Sequence, residues 1–68
     1  MLQTKELKEH SFLVYGLGST GVSVIKFFNK NKIKKFKVWD DKKKNIFKNL
    51  RTKNLTQTLN KVDYIVLS

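Results

Sequence analysis

The sequence contains no cysteine and no proline, a single histidine, a single arginine and only five acidic residues among 68. Each scarcity removes a class of function. Without cysteine there is neither a disulfide framework nor a thiolate zinc site, and His10 alone cannot build a histidine metal cluster. His10 precedes the first apolar run and reads as an exposed surface residue. No serine, histidine and aspartate are spaced as a nucleophilic triad, and the ATP-type phosphate loop G-x-x-x-x-G-K-[ST] is missing. Catalysis cannot be assigned to this segment. The longest apolar runs, Phe12–Tyr15 and Tyr64–Leu67, fall far short of the roughly 20 residues of a membrane span. Met1–Ser11 carries Glu6, Lys8, Glu9 and His10 where a secretory signal has its apolar stretch, so the chain reads as cytoplasmic.

Positive charge, by contrast, abounds: 15 basic residues against five acidic ones give a net charge of +10. Such a surplus either marks a phosphate-bearing partner or reflects a bias of composition at solvated positions. Fourteen of the 15 are lysine, and six asparagines accompany them. Nucleic-acid readers rely on arginine forks and interleaved aromatic side chains, so the solvated reading is preferred, with neither nucleic acid nor membrane as partner. A general attraction for small phosphorylated ligands follows from the same charge. At this length the chain is one domain at most, and a domain of this size buries only about 60% of its unfolded surface.

Hydrophobic spacing then gives the elements. Ser11–Tyr15 is a short β-prone apolar run that stops at Gly16, as suits a strand buried on both faces of a parallel sheet. From Ser19 to about Lys32, Val22, Ile25 and Phe28 recur at helical spacing with Val24 and Phe27 beside them. Phe36–Asp40 alternates like a second strand, with Trp39 on the side opposite Val38, where packing against a helix is its default role. Ile46, Phe47 and Leu50 predict a short helix, 52–58 a loop with at most a helical turn, and 63–67 a third strand. Strand, helix, strand, short helix, strand is the opening half of a doubly wound α/β sheet, that is, a Rossmann-like three-layer unit truncated after about three strands.

The most informative segment is Gly16-Leu17-Gly18-Ser19-Thr20-Gly21. It follows a predicted strand, opens a predicted helix, and is trailed 24 residues beyond Gly16 by Asp40 at the end of the next strand. Gly16 permits the tight turn, Gly18 leaves room for a diphosphate against the backbone, and Gly21 lets helix and strand pack closely. The helix start then turns its N–H groups toward the anion. Asp40 is placed either to accept hydrogen bonds from a ribose hydroxyl or base N–H, or, with Asp41, to cap the following segment. Lys42, Lys43 and Lys44 form a solvated run from which one ammonium could reach a base or phosphate.

Phe12–Ser23, with its G-L-G-x-T-G-x-S loop, resembles the start of the Mur ligases, most closely the members that add D-glutamate. The likeness continues through Phe27-Phe28, Val38-Trp39-Asp40-Asp41-Lys42 and Val62-Asp63-Tyr64-Ile65-Val66-Leu67-Ser68, and covers Ser11–Ser68. It implies a partial N-terminal domain over 1–68 that binds the UDP-sugar substrate, with the central ATP-binding domain and the C-terminal amino-acid domain elsewhere in a longer protein. In that family ATP and magnesium convert the carboxylate of UDP-N-acetylmuramoyl-L-alanine to an acyl phosphate, which the amino group of D-glutamate attacks. None of that apparatus falls in this segment.

By the same likeness, the backbone of Gly18, Ser19, Thr20 and Gly21 approaches the diphosphate and sugar, and Asp40, Asp41 and Lys42 surround the uracil and ribose. The position of Asp41 is commonly a small hydroxyl residue in the family and that of Lys42 commonly arginine, so stacking on the base is weaker here. Three strands and two helices also leave one face and both edges bare, so a unit of this extent is expected to be unstable alone. A nicotinamide-binding module of a dehydrogenase or transporter regulator is the alternative, because the glycine loop and trailing acid would serve it equally.

Overall fold

The structure, a computed structural model, describes residues 4–68. Met1–Gln3, the beginning of the stretch considered above for a secretory signal, lie outside the described residues. The elements run α1 (Thr4–Glu9), β1 (Phe12–Tyr15), α2 (Ser19–Lys30), β2 (Phe36–Trp39), a short 3-10 turn (Lys48–Leu50), α3 (Leu55–Lys61) and β3 (Tyr64–Leu67).

The three strands form one parallel sheet in the order β2-β1-β3. β1 is central, and its Phe12, Leu13 and Val14 are all buried, as its unbroken apolar run requires. Phe12 pairs with Phe36 on one side and Tyr64 on the other, and Val14 with Val38 and Val66. Alternation of side chains puts these six on one face and Leu13, Tyr15, Lys37, Trp39, Ile65 and Leu67 on the other.

The first face carries the core. Ile25 and Phe28, the inward stripe of α2, pack with Phe12, Val14, Leu17, Ile33, Phe36 and Val38. Each fully buried aliphatic among them contributes about 1.5–3 kcal/mol. The Phe28 ring centroid lies 5.0 Å from those of both Phe12 and Phe36, and Phe12 stacks on Tyr64 at 5.6 Å. Since Phe12, Phe36 and Tyr64 are the first residues of their strands, an aromatic layer closes the amino end of the sheet. On the second face Leu13 is buried, but Ile65 and Leu67 remain 46% and 77% exposed.

Three local expectations change. The helix expected around Ile46–Leu50 is only the 3-10 turn, because Phe47 adopts a left-handed conformation (φ 53°) just before it. Beyond that turn the chain extends, and Arg51 bridges to Val38 along the outer edge of β2. The segment 52–58, expected as a loop with at most a helical turn, opens the longer α3, whose start is capped by the Asn54 side chain accepting from the Gln57 N–H at 3.0 Å. Trp39, expected to pack against a helix, carries the Arg51 guanidinium 4.1 Å from its ring centroid.

Candidate functional site

The strand order places the glycine loop. β1 has β2 on one side and β3 on the other, so the connections of the sheet leave it in opposite directions at its carboxyl end. In open α/β sheets that crevice is where ligands bind. Gly16–Gly21 occupies it.

The loop is built from β1 outward. The Gly16 N–H donates to the Trp39 carbonyl at 2.7 Å, continuing the β1–β2 pairing by one step. Gly16 then turns with φ +106°, a conformation that L side chains rarely adopt, and a Cβ there would lie 2.6 Å from the Ser68 carbonyl oxygen. Leu17 drops its side chain into the core, which anchors the loop from below. Gly21, in the first turn of α2, sits directly against Gly16, and a Cβ at that position would overlap the Gly16 carbonyl oxygen. The last glycine of the motif is therefore demanded by contact between helix and strand, and the first by its own positive φ and the closeness of Ser68.

Two flanks hold this loop. On the β2 side, Asp40 Oδ2 accepts the Leu17 N–H at 2.7 Å, while Oδ1 accepts the N–H groups of Lys42 and Lys43, each at 2.8 Å. The Lys43, Leu17 and Lys42 amides hold the Asp40 carboxyl down at about 2, against 3.8 for an ordinary aspartate. On the β3 side, Ser68 donates its N–H to the Tyr15 carbonyl at 3.0 Å and accepts the Gly21 N–H on Oγ at 2.9 Å. Between these flanks the N–H groups of Gly18, Ser19 and Thr20 have no acceptor among the described residues. All three residues are exposed. Gly18 is the N-cap of α2 and offers no side chain to its own helix. Three unpartnered amides on exposed residues at the positive end of a 12-residue helix are suited to an anion.

The sequence-nominated residues are thus brought to one place, with different attachments. Gly18, Ser19 and Thr20 present open amides, whereas the Gly21 amide is taken by Ser68. Asp40 has both oxygens engaged by the chain's own backbone. Asp41 accepts the indole N–H of Trp39 at 2.9 Å, and the Lys42 ammonium has no partner among the described residues. Ser68 was not nominated, and of the lysine run 42–44 it is Lys43 that turns to the loop, its Nζ donating to the Leu17 carbonyl at 3.1 Å. Behind the loop, Arg51 donates to the Asp40 carbonyl at 2.8 Å.

A groove of about 1030 Å³ lies elsewhere, lined by Ser11, Lys37, Arg51, Thr58 and Lys61 among others. None of the nominated residues faces it, and the chemistry of the glycine loop outweighs its size. Among the described residues no three histidine, cysteine or acidic side chains converge on a common point, and no helix is long and apolar enough to cross a membrane.

Compared with known protein families, residues 10–68 match the family described as Mur ligase MurD-like, N-terminal domain. No curated protein and no solved structure matches the chain. The match takes in every strand, the glycine loop and both flanks that hold it. The chain therefore belongs to the Mur ligase family, the ATP-dependent ligases of peptidoglycan synthesis, through its MurD-like N-terminal domain.

Proposed function

We propose that this chain is the UDP-sugar-binding unit of a ligase that adds D-glutamate to UDP-N-acetylmuramoyl-L-alanine in the cytoplasm. The observation that carries the reading is the set of three open amides at Gly18, Ser19 and Thr20, in a loop held between Asp40 and Ser68. A diphosphate supplies the acceptors those amides lack, and the surplus of positive charge draws it in. The nucleoside end then falls over the loop that leaves β2, where Asp41 and Lys42 are exposed. ATP and magnesium belong to the other domains of such an enzyme, and no step through them is assigned to these residues.

The engagement of Asp40 bears on the alternative. A nicotinamide module uses the acid after its second strand to accept ribose hydroxyls, which needs a carboxylate oxygen turned to the ligand. Here Oδ2 faces Leu17 and Oδ1 faces the amides of Lys42 and Lys43. That arrangement favours a ligand gripped by its phosphates.

Parallel titrations of the labelled chain with UDP and NAD, following the amide resonances of Gly18–Gly21, test the reading. The expected result is that UDP shifts Gly18, Ser19 and Thr20 most and that NAD leaves them in place. A response to NAD alone would replace the ligase substrate with a dinucleotide.

A further inference from the structure

Three consecutive lysines follow Asp41, and only the middle one turns back to the glycine loop. Lys43 Nζ donates to the Leu17 carbonyl, while Asp40 Oδ2 accepts the Leu17 N–H. Asp40 Oδ1 in turn accepts the Lys43 backbone N–H, fixing the point from which the lysine reaches across. Two successive peptide groups are thereby pinned, the first through its N–H and the second through its C=O.

The second pin has a directional consequence. In a trans peptide the C=O and the N–H that follows it point opposite ways. With the Leu17 carbonyl held toward Lys43, the Gly18 N–H is aimed away from it, and this N–H is the first of the three open amides. An ammonium on the carbonyl also polarises the same peptide and strengthens its N–H as a donor. No carboxylate lies within ion-pair distance of Lys43 among the described residues, so the Leu17 carbonyl is the direct partner of its ammonium, with the Asp40 charge acting on it only from farther off.

We propose that Lys43 is a positioning residue of the anion site, which acts through the Leu17–Gly18 peptide to aim and polarise the Gly18 N–H and does not itself touch the anion. The identity of that anion as a diphosphate rests on the UDP-sugar reading. Lys42 and Lys44, whose ammonium groups take no partner among the described residues, do not share the role.

The experiment compares the full, isotopically labelled chain with Lys43→Met, Lys43→Arg and Lys44→Met. The Gly18 amide resonance is read first without ligand, and then in titrations with UDP and with uridine. Lys43→Met is expected to move the Gly18 amide proton upfield before any ligand is added and to weaken UDP by about three- to tenfold with uridine unaffected. Lys43→Arg restores most of both effects, and Lys44→Met produces neither. An unmoved Gly18 resonance in Lys43→Met overturns the proposal, as does an equal loss of UDP in Lys43→Met and Lys44→Met, which would mark a general charge effect. Equal weakening of UDP and uridine overturns it too. Failure of the unmodified chain to bind UDP would sink the UDP-sugar reading alone; the ligand-free Gly18 shift and a titration with inorganic pyrophosphate would then decide the role of Lys43.

Discussion

The two ends of the sheet are held by different forces. At the amino end Phe28 lies 5.0 Å from both Phe12 and Phe36, and Tyr64 stacks on Phe12 at 5.6 Å, so the contacts are between rings. Asp63 closes that end by accepting the Ser11 N–H at 2.8 Å, with His10 Nδ1 3.4 Å away. At the carboxyl end no aromatic layer of the described residues covers the loop, and position is set by hydrogen bonds that Asp40 and Ser68 accept and Lys43 donates. Packing at the amino end leaves few polar groups to satisfy. The other end leaves three amides open, which is a cost to stability and the condition for binding. Stability and recognition are thus separated along the strands, and the separation makes the two ends respond differently to substitution.

The largest expected effect is at the amino end. Phe28→Ala removes the ring that joins Phe12 to Phe36, at a cost of about 3–5 kcal/mol, which is comparable with the whole stability of a domain this small. Denaturant unfolding should show the loss, while the molecules that remain folded keep the UDP-induced shifts of Gly18–Thr20. Gly21→Ala comes next and acts at the carboxyl end. Its methyl group meets the Gly16 carbonyl, a backbone atom that cannot swing aside, so α2 must lift from β1 at a cost of about 1–3 kcal/mol. Unlike Phe28→Ala, it should abolish UDP binding in the molecules that stay folded. If the two variants lost binding in equal proportion to stability, the division between the ends would be wrong.

Much of this arrangement was legible in the sequence because it rests on local patterns. Two apolar runs and an alternating segment announced the strands, and recurrence at three to four residues announced α2. The glycine spacing announced the turn between strand and helix. α1 went unassigned, since six residues with Leu7 as their only inward anchor give no recurring stripe. α3 exceeds the single turn expected there although Asn54 and Gln57 stand three apart, the spacing of a capped helix start, because Leu55 and Leu59 alone make a weak stripe. The contacts of the site were harder still. Ser68 meets Gly21 across 47 residues, a meeting decided by the register of β3 on β1. Within Lys42-Lys43-Lys44, composition cannot say which lysine turns inward; the Asp40 carboxylate decides it by fixing the backbone of that turn.

The smallest effect expected is a response to acid, and it sharpens the comparison because each end has its own aspartate. Asp40 is held at about 2 by the amides of Lys43, Leu17 and Lys42, and Asp63 is lowered from 3.8 by the Ser11 N–H, with the Ser11 hydroxyl and His10 assisting. Both folded values lie below the unfolded one. Each carboxylate therefore contributes stability that is fully present above pH 3.8 and is lost as the pH falls, in the case of Asp40 toward about 2. Rising positive charge on an already cationic chain weakens the whole fold over the same range, so a melting curve alone cannot separate the two ends. Their amide resonances can. The Leu17, Lys42 and Lys43 amides should titrate with Asp40, and the Ser11 amide with Asp63. Asp40→Asn should flatten the first set and leave the Ser11 profile intact, while Asp63→Asn should do the reverse. Asp40→Asn should also lower UDP affinity at neutral pH by loosening the Leu17 peptide, an effect that Asp63→Asn, at the far end of β1, should not reproduce. A matching loss of UDP in both variants would mean that the ends are coupled through the strand and that the amino-terminal packing sets the loop geometry as well.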